Sequence, residues 1–188
     1  MNDDLLFFLT LILLALCALG LSWFAGSDAP FVTTETILIA PILKKAGLKK
    51  GQVFYELGSG DGRVVLEAAK LRAKAYGVEQ SWLRVWYSRL LAHKLRSKMK
   101  EVEVGFFHGN IFDRQYYPVD MVYLFLLPQG IEKLEKKLKK ELRAGSIIIT
   151  QTFHFKYWKP FKKIDLSQGK KVISKEGKKM GDFWIYRA

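Results

Sequence analysis

The sequence predicts an α/β fold with a mostly parallel, doubly wound sheet, an antiparallel hairpin at the C-terminal edge of the sheet, and one N-terminal transmembrane helix before the domain. Between residues 53 and 152, strand-like and helix-like patterns alternate, which is typical of a parallel sheet covered by helices. Residues 171–174 and 183–187 are strand-like with only a Gly- and Lys-rich turn between them, which favours an antiparallel edge hairpin. Residues 5–24 are uncharged and predominantly apolar, which is the pattern of a membrane-spanning helix.

The N-terminal apolar segment, residues 5–24, contains no charge and no proline, and as a helix it would span about 30 Å, the thickness of a bilayer core. Trp23 and Phe24 are expected at one interface. A cleaved signal peptide is the alternative, but the preceding MNDD is acidic where a signal peptide is basic. The lysines that follow the segment predict that the rest of the chain faces the cytoplasm. Residues 1–30 are therefore interpreted as anchor and linker, and residues 31–188 as one domain on the cytoplasmic side.

The charge of the chain is strongly positive and unevenly distributed. Of 188 residues, 31 are Lys or Arg and 18 are Asp or Glu, which gives +13. Residues 1–30 hold three of the acids and none of the cations, so the remaining 158 residues carry 31 cations and 15 acids, or +16. A domain with this charge is attracted to anionic lipid or nucleic acid. A basic surface that contacts only solvent would have the same composition. The single cysteine, Cys17, excludes an intramolecular disulfide and fits a reducing compartment.

The elements of the domain follow one another in a regular order. A helix that could break at Pro41 comes first, and glycines at 47 and 51 precede the first strand. Strands are predicted at residues 53–57, 75–79, 102–107, 120–126 and 146–152, and helices at residues 35–46, 63–71, 82–100 and 131–142.

The most informative motif is VFYELGSGDGR, residues 53–63, in which an apolar strand reaches an acid and then a glycine-rich loop before a helix. Gly58, Gly60 and Gly62 let the backbone turn sharply and approach a ligand without a Cβ atom in the way. A dinucleotide-binding fingerprint would have its third glycine at position 63, which is Arg63 here. The loop therefore predicts a ligand site of a different type.

Two further polar residues follow the next two strands. Glu79 ends the second strand, where an acid can accept hydrogen bonds from both hydroxyls of a ribose. Asn110 follows the third strand, and its amide can bond an exocyclic amine. Alone, each residue fits a surface acid or a turn. Because ligands bind at the carboxyl ends of parallel strands, the two residues and the glycine loop together predict one site at that edge.

The pattern G-x-G-x-G, with Glu56 two residues before its first glycine, resembles the first motif of class I S-adenosylmethionine-dependent methyltransferases. The resemblance implies a Rossmann-like methyltransferase fold and S-adenosylmethionine as the cofactor. It implies that Glu56 faces the methionine amino group, that Asn110 meets the adenine amino group, and that the Ile111 backbone N–H meets the adenine ring. The other cofactor-binding residues it implies are Gly58, Ser59, Gly60, Asp61, Gly62, Glu79 and Gln80.

The wider sequence is similar to the small membrane-anchored protein-lysine methyltransferases, the family that includes those of the ATP synthase c-subunit and of the adenine nucleotide translocase. The similarity covers most of residues 31–160 and rests on FVTTE, YELGSGDGR, WLRVWYSR, LPQGIEKLEKKLKKEL and a YWKP segment. It implies direct methyl transfer to a deprotonated lysine amine of a membrane-associated protein. Where the family has Pro-Thr-Pro, this chain has Thr33-Thr34-Glu35, so only Thr34 carries over as a lid contact to the cofactor.

The substrate side of the site is less strongly marked. Tyr87, Leu127 and Pro128 are expected to line a substrate channel, and no general base and no metal ligand are predicted. The spacing of Trp82, Trp86 and Tyr87 also fits a simpler interpretation, in which the three side chains form one face of a helix that packs on the sheet. The fourth strand leads into LLPQ rather than the Asp/Asn-Pro-Pro-aromatic run of adenine and glutamine methyltransferases, which disfavours those substrates.

Three alternatives to a lysine methyltransferase stay open. An RNA methyltransferase could hold phosphates with Lys170, Lys171, Lys175, Lys178 and Lys179, although a membrane anchor restricts access to bulk RNA. In an anchored protein the same lysines would contact anionic lipid. A lipid or quinone methyltransferase is compatible with an anchor, and a membrane protein could also bind the cofactor without turnover.

Overall fold

The structure is a computed structural model of the chain, and it describes residues 3–24, 32–167 and 181–188. The helices are α1 (Asp3–Phe24), α2 (Thr36–Lys45), α3 (Arg63–Lys70), α4 (Trp82–Lys98) and α5 (Pro128–Glu141). The strands are β1 (Val53–Leu57), β2 (Lys74–Glu79), β3 (Val104–His108), β4 (Met121–Leu124), β5 (Ile147–Gln151), β6 (Lys162–Asp165) and β7 (Asp182–Arg187). The predicted strands and helices between residues 53 and 152 lie within three residues of these bounds.

The strands form a single mixed sheet in the order β3-β2-β1-β4-β5-β7-β6. Strands β1 to β5 are parallel, and β1 pairs with β2 on one side and with β4 on the other, so that Leu57 lies opposite both Val78 and Leu124. The order of the strands reverses at β1, and in open α/β sheets such a switch point creates a crevice at the carboxyl ends of the strands. The expectation of a Rossmann-like fold with a mixed sheet is confirmed.

Helices cover both faces of the sheet, which explains why its central strands are apolar. All four residues of β4 are buried, because parallel strands covered on both faces have no solvent side. One core lies between the sheet and α2, α3 and α4, and the other lies between the sheet and α5. Fully buried members include Ile39, Phe54, Val65 and Phe183 in the first core and Leu57, Val122, Leu134 and Tyr186 in the second.

The C-terminal strands differ in part from the prediction. β7 lies between β5 and β6 and is antiparallel to both, so the strand at the edge is β6. The predicted partner strand at residues 171–174, and the basic lysines from 170 to 179, lie outside the described residues. β6 has the sequence KKID, and only Ile164 is buried, so it has too little apolar alternation to be predicted.

The predicted membrane-spanning helix at residues 5–24 is wrong, because no helix formed by the described part of the chain is long and apolar enough to cross a membrane. The side chains of Trp23 and Phe24, expected at a membrane interface, are not among those that the structure describes. The cytoplasmic orientation of residues 31–188 stays a prediction.

The packing expected for α4 is also wrong. Trp82 and Trp86 are 55% and 59% exposed, and Tyr87 is 37% exposed. The buried face of this helix is formed instead by Arg84, Val85, Ser88 and Ala92. Since α4 carries apolar residues on both faces, the periodicity of its sequence does not determine which face meets the sheet.

Candidate functional site

A cleft lies at the carboxyl ends of β1, β2 and β4, beside the reversal of strand order. It encloses about 220 Å³. Its lining comes from the segment before α2, the loops after β1, β2, β3 and β4, and the first turns of α3, α4 and α5. The polar lining residues are Thr33, Thr34, Glu56, Ser59, Asp61, Arg63, Glu79, Gln80, Arg84, Asn110, Gln129 and Lys133.

The loop after β1 is held against β2 by its own backbone. The N–H groups of Gly58 and Ser59 both donate to the carbonyl of Val78 at 2.9 Å. Gly58 and Gly60 have φ values of 82° and 52°, in the left-handed region where a glycine is not strained. The turn therefore leaves the backbone open toward the cleft.

Glu56 is a buried acid on the wall of the cleft. It is 5% exposed, and its Oε2 has no hydrogen-bond partner among the described residues. Burial, more than the nearby Asp61 carboxylate, raises the pKa of Glu56 well above its ordinary value, while the Val65 backbone N–H opposes that rise. A buried carboxyl with a free oxygen is suited to receive a cationic hydrogen-bond donor.

Glu79 ends β2 and joins three parts of the cleft. One oxygen accepts the Gly60 N–H at 2.9 Å, and the other accepts the Ser81 N–H at 3.0 Å. Arg84, which is 3% exposed, places Nη1 3.5 Å from the same carboxylate. The glycine loop and the first turn of α4 are thus connected through one side chain, which fixes the position of the acid in the cleft.

Arg63 connects the glycine loop to the segment before α2. Its Nη2 lies 2.5 Å from Asp61, and its Nη1 donates to the carbonyl of Thr34 at 3.1 Å. Hydrogen bonding to Asp61 is the main reason that the pKa of Arg63 is raised. Because Thr34 and Arg63 both line the cleft, this contact holds the segment at residues 32–34 over one side of it.

Below that segment, Thr34 joins a buried polar cluster. The hydroxyls of Thr34 and Tyr123 both lie 2.6 Å from Oε1 of Gln151, and they are 3.1 Å from each other. Burial is the main cause that raises the pKa of Tyr123 far above its ordinary value, so this phenol stays protonated and can donate. The cluster ties the segment before α2 to the ends of β4 and β5.

Asn110 and Ile111 form the opposite wall, after β3. The Oδ1 of Asn110 accepts the Phe112 N–H at 2.9 Å, a local turn that orients the side-chain amide. The Tyr116 hydroxyl donates to the Ile111 carbonyl at 2.7 Å. The two residues are therefore held by the loop itself and by a residue of the core.

Most of the predicted cofactor-binding residues come together in this cleft. Gly62 does not line it, because it is the N-cap of α3 and faces Phe106 and Ser88. Of the three residues expected in a substrate channel, Leu127 lines the cleft, and Tyr87 and Pro128 do not. Those lining it are Thr34, Glu56, Gly58, Ser59, Gly60, Asp61, Glu79, Gln80, Asn110 and Ile111.

Sequence reasoning missed several residues of the lining. Leu126 in the loop after β4 and Gln129 in the first turn of α5 belong to the LLPQ segment, whose position after the fourth strand is a signal for the site. Arg84 carries no such signal, since it reaches the cleft only through the rotation of α4 about its axis. The others that were missed are Val32, Thr33, Arg63, Val64, Gly109, Phe112, Phe125, Gly130 and Lys133.

Comparison with known proteins gives one family match and several curated relatives. The model of the ANTKMT methyltransferase domain matches residues 56–162, more than half of the chain. The human lysine N-methyltransferase of the ATP synthase c-subunit is 33% identical over 131 residues, which are 70% of this chain and 54% of that protein. The Protein-lysine N-methyltransferase of Saccharolobus islandicus is 30% identical over 142 residues, which are 74% of this chain and 86% of that protein. The chain thus spans about half the length of the human relative.

Among solved structures, an RNA methyltransferase from Salinibacter ruber in complex with S-adenosyl-L-homocysteine has a TM-score of 0.70 and 27% sequence identity to this chain. The superposition covers 83% of this chain and 93% of the other.

Proposed function

The chain belongs to the family of the ANTKMT methyltransferase domain, and we propose that it transfers the methyl group of S-adenosylmethionine to a lysine amine of a protein substrate. The resemblance to this family is confirmed by the family match and by relatives named as lysine N-methyltransferases. The expectation of S-adenosylmethionine as the cofactor is confirmed by the family match and by the Salinibacter ruber relative, which was crystallised with S-adenosyl-L-homocysteine.

The observation that carries the proposal is a pair of buried acids at the ends of adjacent parallel strands. Glu56 on β1 and Glu79 on β2 are each 5% exposed and line the same cleft. Burying a carboxylate without a cation is costly, and the Oε2 of Glu56 lacks a hydrogen-bond partner in the described chain. The cationic amino group of S-adenosylmethionine fits that position chemically.

The other lining residues match the remaining parts of the cofactor. Glu79 is positioned for ribose hydroxyls, because it is fixed at the end of β2 by Gly60, Ser81 and Arg84. Asn110 and the Ile111 N–H would meet the adenine. Thr34, tied down through Arg63, would cover the cofactor from the side of the segment before α2.

When bound, the cofactor supplies an electrophilic methyl group, and the C–N bond to the amine forms as the C–S bond breaks. The chain's own contribution is to deliver a neutral amine, because a free lysine has a pKa of about 10.4 and is mostly protonated at neutral pH. Phe125, Leu126 and Leu127 give the cleft an apolar wall. An apolar wall disfavours the ammonium form and lowers the pKa of an entering lysine, and its proton leaves to solvent before transfer.

The proposal is tested by adding the purified chain and S-adenosylmethionine with a labelled methyl group to extracts of cells that lack this protein. Glu56→Ala serves as the inactive control, and Glu67→Gln, which alters an acid paired with Lys70 on α3, as the matched active control. Label on a protein lysine with the unaltered chain and with Glu67→Gln, but not with Glu56→Ala, is the expected result. Measurable cofactor binding with no label on any lysine would refute the proposal.

An RNA methyltransferase is a second candidate, since the Salinibacter relative is described as one and the net charge is +13. The same labelling distinguishes the two, because label that disappears on ribonuclease treatment belongs to RNA. Binding to RNA through phosphates would also weaken steeply as salt is raised.

A further inference from the structure

One lysine of α5 faces the cleft in which the cofactor is expected. Among the described residues that line this cleft, Lys133 is the only lysine. Side chains of a helix tilt toward its N-terminus, so that a residue covers the turn before it. The turn before Lys133 contains Gln129 and Gly130, which also line the cleft, and Gly130 has no side chain to separate the lysine from the cleft wall. The amine of Lys133 is therefore directed along α5 toward the cleft.

Leu126 connects that turn of α5 to the loop that is expected to hold the cofactor. A Cβ atom built on Gly130 would lie 3.6 Å from Cβ of Leu126, and one built on Gly58 would lie 2.8 Å from Cδ2 of the same residue. A single side chain thus contacts both the glycine loop and the first turn of α5. Lys133 lies three residues farther along the helix, and its flexible four-carbon stem allows the amine to reach back over that distance.

The neighbours of Lys133 on α5 do not include an acid that would hold its amine away from the cleft. Acids and lysines of a helix pair when they are three or four residues apart. The residues at those distances from Lys133 are Gln129, Gly130, Lys136 and Lys137. Lys137, by contrast, lies 2.5 Å from Glu141, four residues farther along. The amine of Lys133 is therefore not bound by a carboxylate of its own helix, and it is exposed, so it exchanges protons with solvent.

We propose that Lys133 is a self-methylation site, at which the chain transfers a methyl group from S-adenosylmethionine to its own lysine. This inference rests on the proposed function, because it uses the same cofactor and the same reaction. The neutral amine of Lys133 attacks the methyl carbon, and the C–N bond forms as the C–S bond breaks. The products are N-methyllysine and S-adenosyl-L-homocysteine. The proton of the ammonium form leaves to solvent before the transfer.

The position of Lys133 implies that the transfer takes place within one chain. An amine on the wall of the cleft meets the methyl group without a binding step, at an effective concentration set by its own stem rather than by the protein concentration. The rate should therefore not change when the protein is diluted. Methylation retains the positive charge of the lysine but removes hydrogen-bond donors, so it alters the cleft wall without changing the net charge of the chain.

The test incubates the purified full chain with S-adenosylmethionine that carries a labelled methyl group, and it locates the label by peptide mass spectrometry. Lys136 and Lys140 serve as internal controls, because they are exposed lysines of the same helix that do not line the cleft. The expected result is label on Lys133 at a rate at least about tenfold above that on either control lysine. That rate should stay constant over roughly a hundredfold range of protein concentration.

Two matched variants and a mixing experiment test the assignment to this residue. Lys133→Arg should abolish the label on the peptide that contains position 133, whereas Lys136→Arg should retain it, and both variants keep the charge of the helix. In the mixing experiment, a tagged Glu56→Ala chain is incubated with the unaltered chain. Lys133 of the tagged chain should remain unmethylated, because the inactive chain does not modify itself and transfer within one chain does not reach it.

Three outcomes would overturn the proposal and leave the proposed function intact. The first is an unlabelled Lys133 in a chain that methylates lysines of an added protein extract; weaker S-adenosylmethionine binding by Lys133→Gln would then assign this lysine to the carboxylate of the cofactor. The second is equal labelling of Lys133, Lys136 and Lys140. The third is label on Lys133 of the tagged Glu56→Ala chain at a rate that rises with protein concentration, which would assign the transfer to two chains. No label on any lysine, in the chain or in the extract, would refute the proposed function as well.

Discussion

Among single residues, Glu56 is the one whose removal is expected to cost the most cofactor affinity. A hydrogen bond between a carboxylate and an ammonium contributes about 1.5–3 kcal/mol, so Glu56→Gln should weaken S-adenosylmethionine binding by roughly 10- to 150-fold. Isothermal titration calorimetry measures the change. Glu67→Gln, at an acid that bonds Lys70 on α3, should bind like the unaltered chain. Equal affinities of the two variants for S-adenosylmethionine would show that Glu56 does not bind the cofactor.

The same acid predicts a pH dependence of stability for the ligand-free protein. Burial raises the pKa of Glu56 in the fold, whereas in the unfolded chain it is about 4.3. Between these two pKa values the folded chain holds a proton that the unfolded chain has lost, so its stability falls as the pH rises. The destabilisation caused by the buried Glu56 carboxylate is absent below its pKa in the unfolded chain and complete above its pKa in the folded chain.

The neutral variant Glu56→Gln should therefore gain stability relative to the unaltered chain as pH increases from 5 to 8. The relative gain should approach about 1.4 kcal/mol per pH unit in the range where only the unfolded chain is ionised. Urea denaturation at several pH values measures it. A difference between the two proteins that does not change with pH would contradict the raised pKa.

Two glycines allow backbone strain to be separated from packing. Gly62 and Gly145 have similar φ values, 80° and 89°, so alanine is strained at both. A Cβ on Gly62 would lie 2.6 Å from the ring of Phe106, whereas none of the described atoms lies within 4 Å of one on Gly145. Gly62→Ala should lose about 1–3 kcal/mol more unfolding free energy than Gly145→Ala. Equal losses in chemical denaturation would mean that Phe106 moves aside freely.

At the scale of elements, α5 holds the loop after β5 through one buried acid. Glu135 is 1% exposed, and it accepts the backbone N–H groups of Lys156 and Tyr157 at 3.1 and 3.0 Å. Glu135→Ala leaves both donors without an acceptor and should cost about 2–4 kcal/mol of unfolding free energy. Glu132→Ala, one turn away and 53% exposed in a surface pair with Lys156, should cost less than about 1 kcal/mol.

Amide hydrogen exchange provides the readout for that loop. The amides of Lys156 and Tyr157 should exchange faster in Glu135→Ala than in Glu132→Ala, because only the former loses their acceptor. If both variants keep the protection of the unaltered chain, the loop is held by other contacts, such as the stacking of Phe155 on Trp158.

At the scale of the whole molecule, the last eight residues complete the sheet. β7 separates β5 from β6 and is paired with both, and its Phe183, Ile185 and Tyr186 are fully buried. Each large core side chain contributes about 2–5 kcal/mol, so a chain ending at residue 180 should lose about 6–15 kcal/mol from these three residues, which is as much as the 5–15 kcal/mol typical of a whole domain. Circular dichroism should show no cooperative thermal transition. A transition at the temperature of the full chain would contradict this role of β7.

The sequence by itself determined the parallel part of the fold and the strand ends that form the cleft. Strands β1 to β5 are apolar and alternate with helices, and in such a sheet the residues after each strand must meet at one edge. Glu56, Glu79 and Asn110 therefore share the cleft, as their positions along the chain predicted. These features are local, because apolar patterning and turn residues are visible over a few positions.

The tertiary structure alone decided the features that depend on distant partners. β6 is a short polar segment that becomes a strand only because β7 provides its hydrogen bonds. α4 has apolar residues on both faces, and only the fold decides that Arg84, Val85, Ser88 and Ala92 are buried while Trp82 and Trp86 are exposed. The burial of Glu56 arises likewise from elements far apart in the chain. A sequence pattern shows which residues are apolar. Which of them are buried depends on contacts between distant elements, and those contacts exist only in the folded chain.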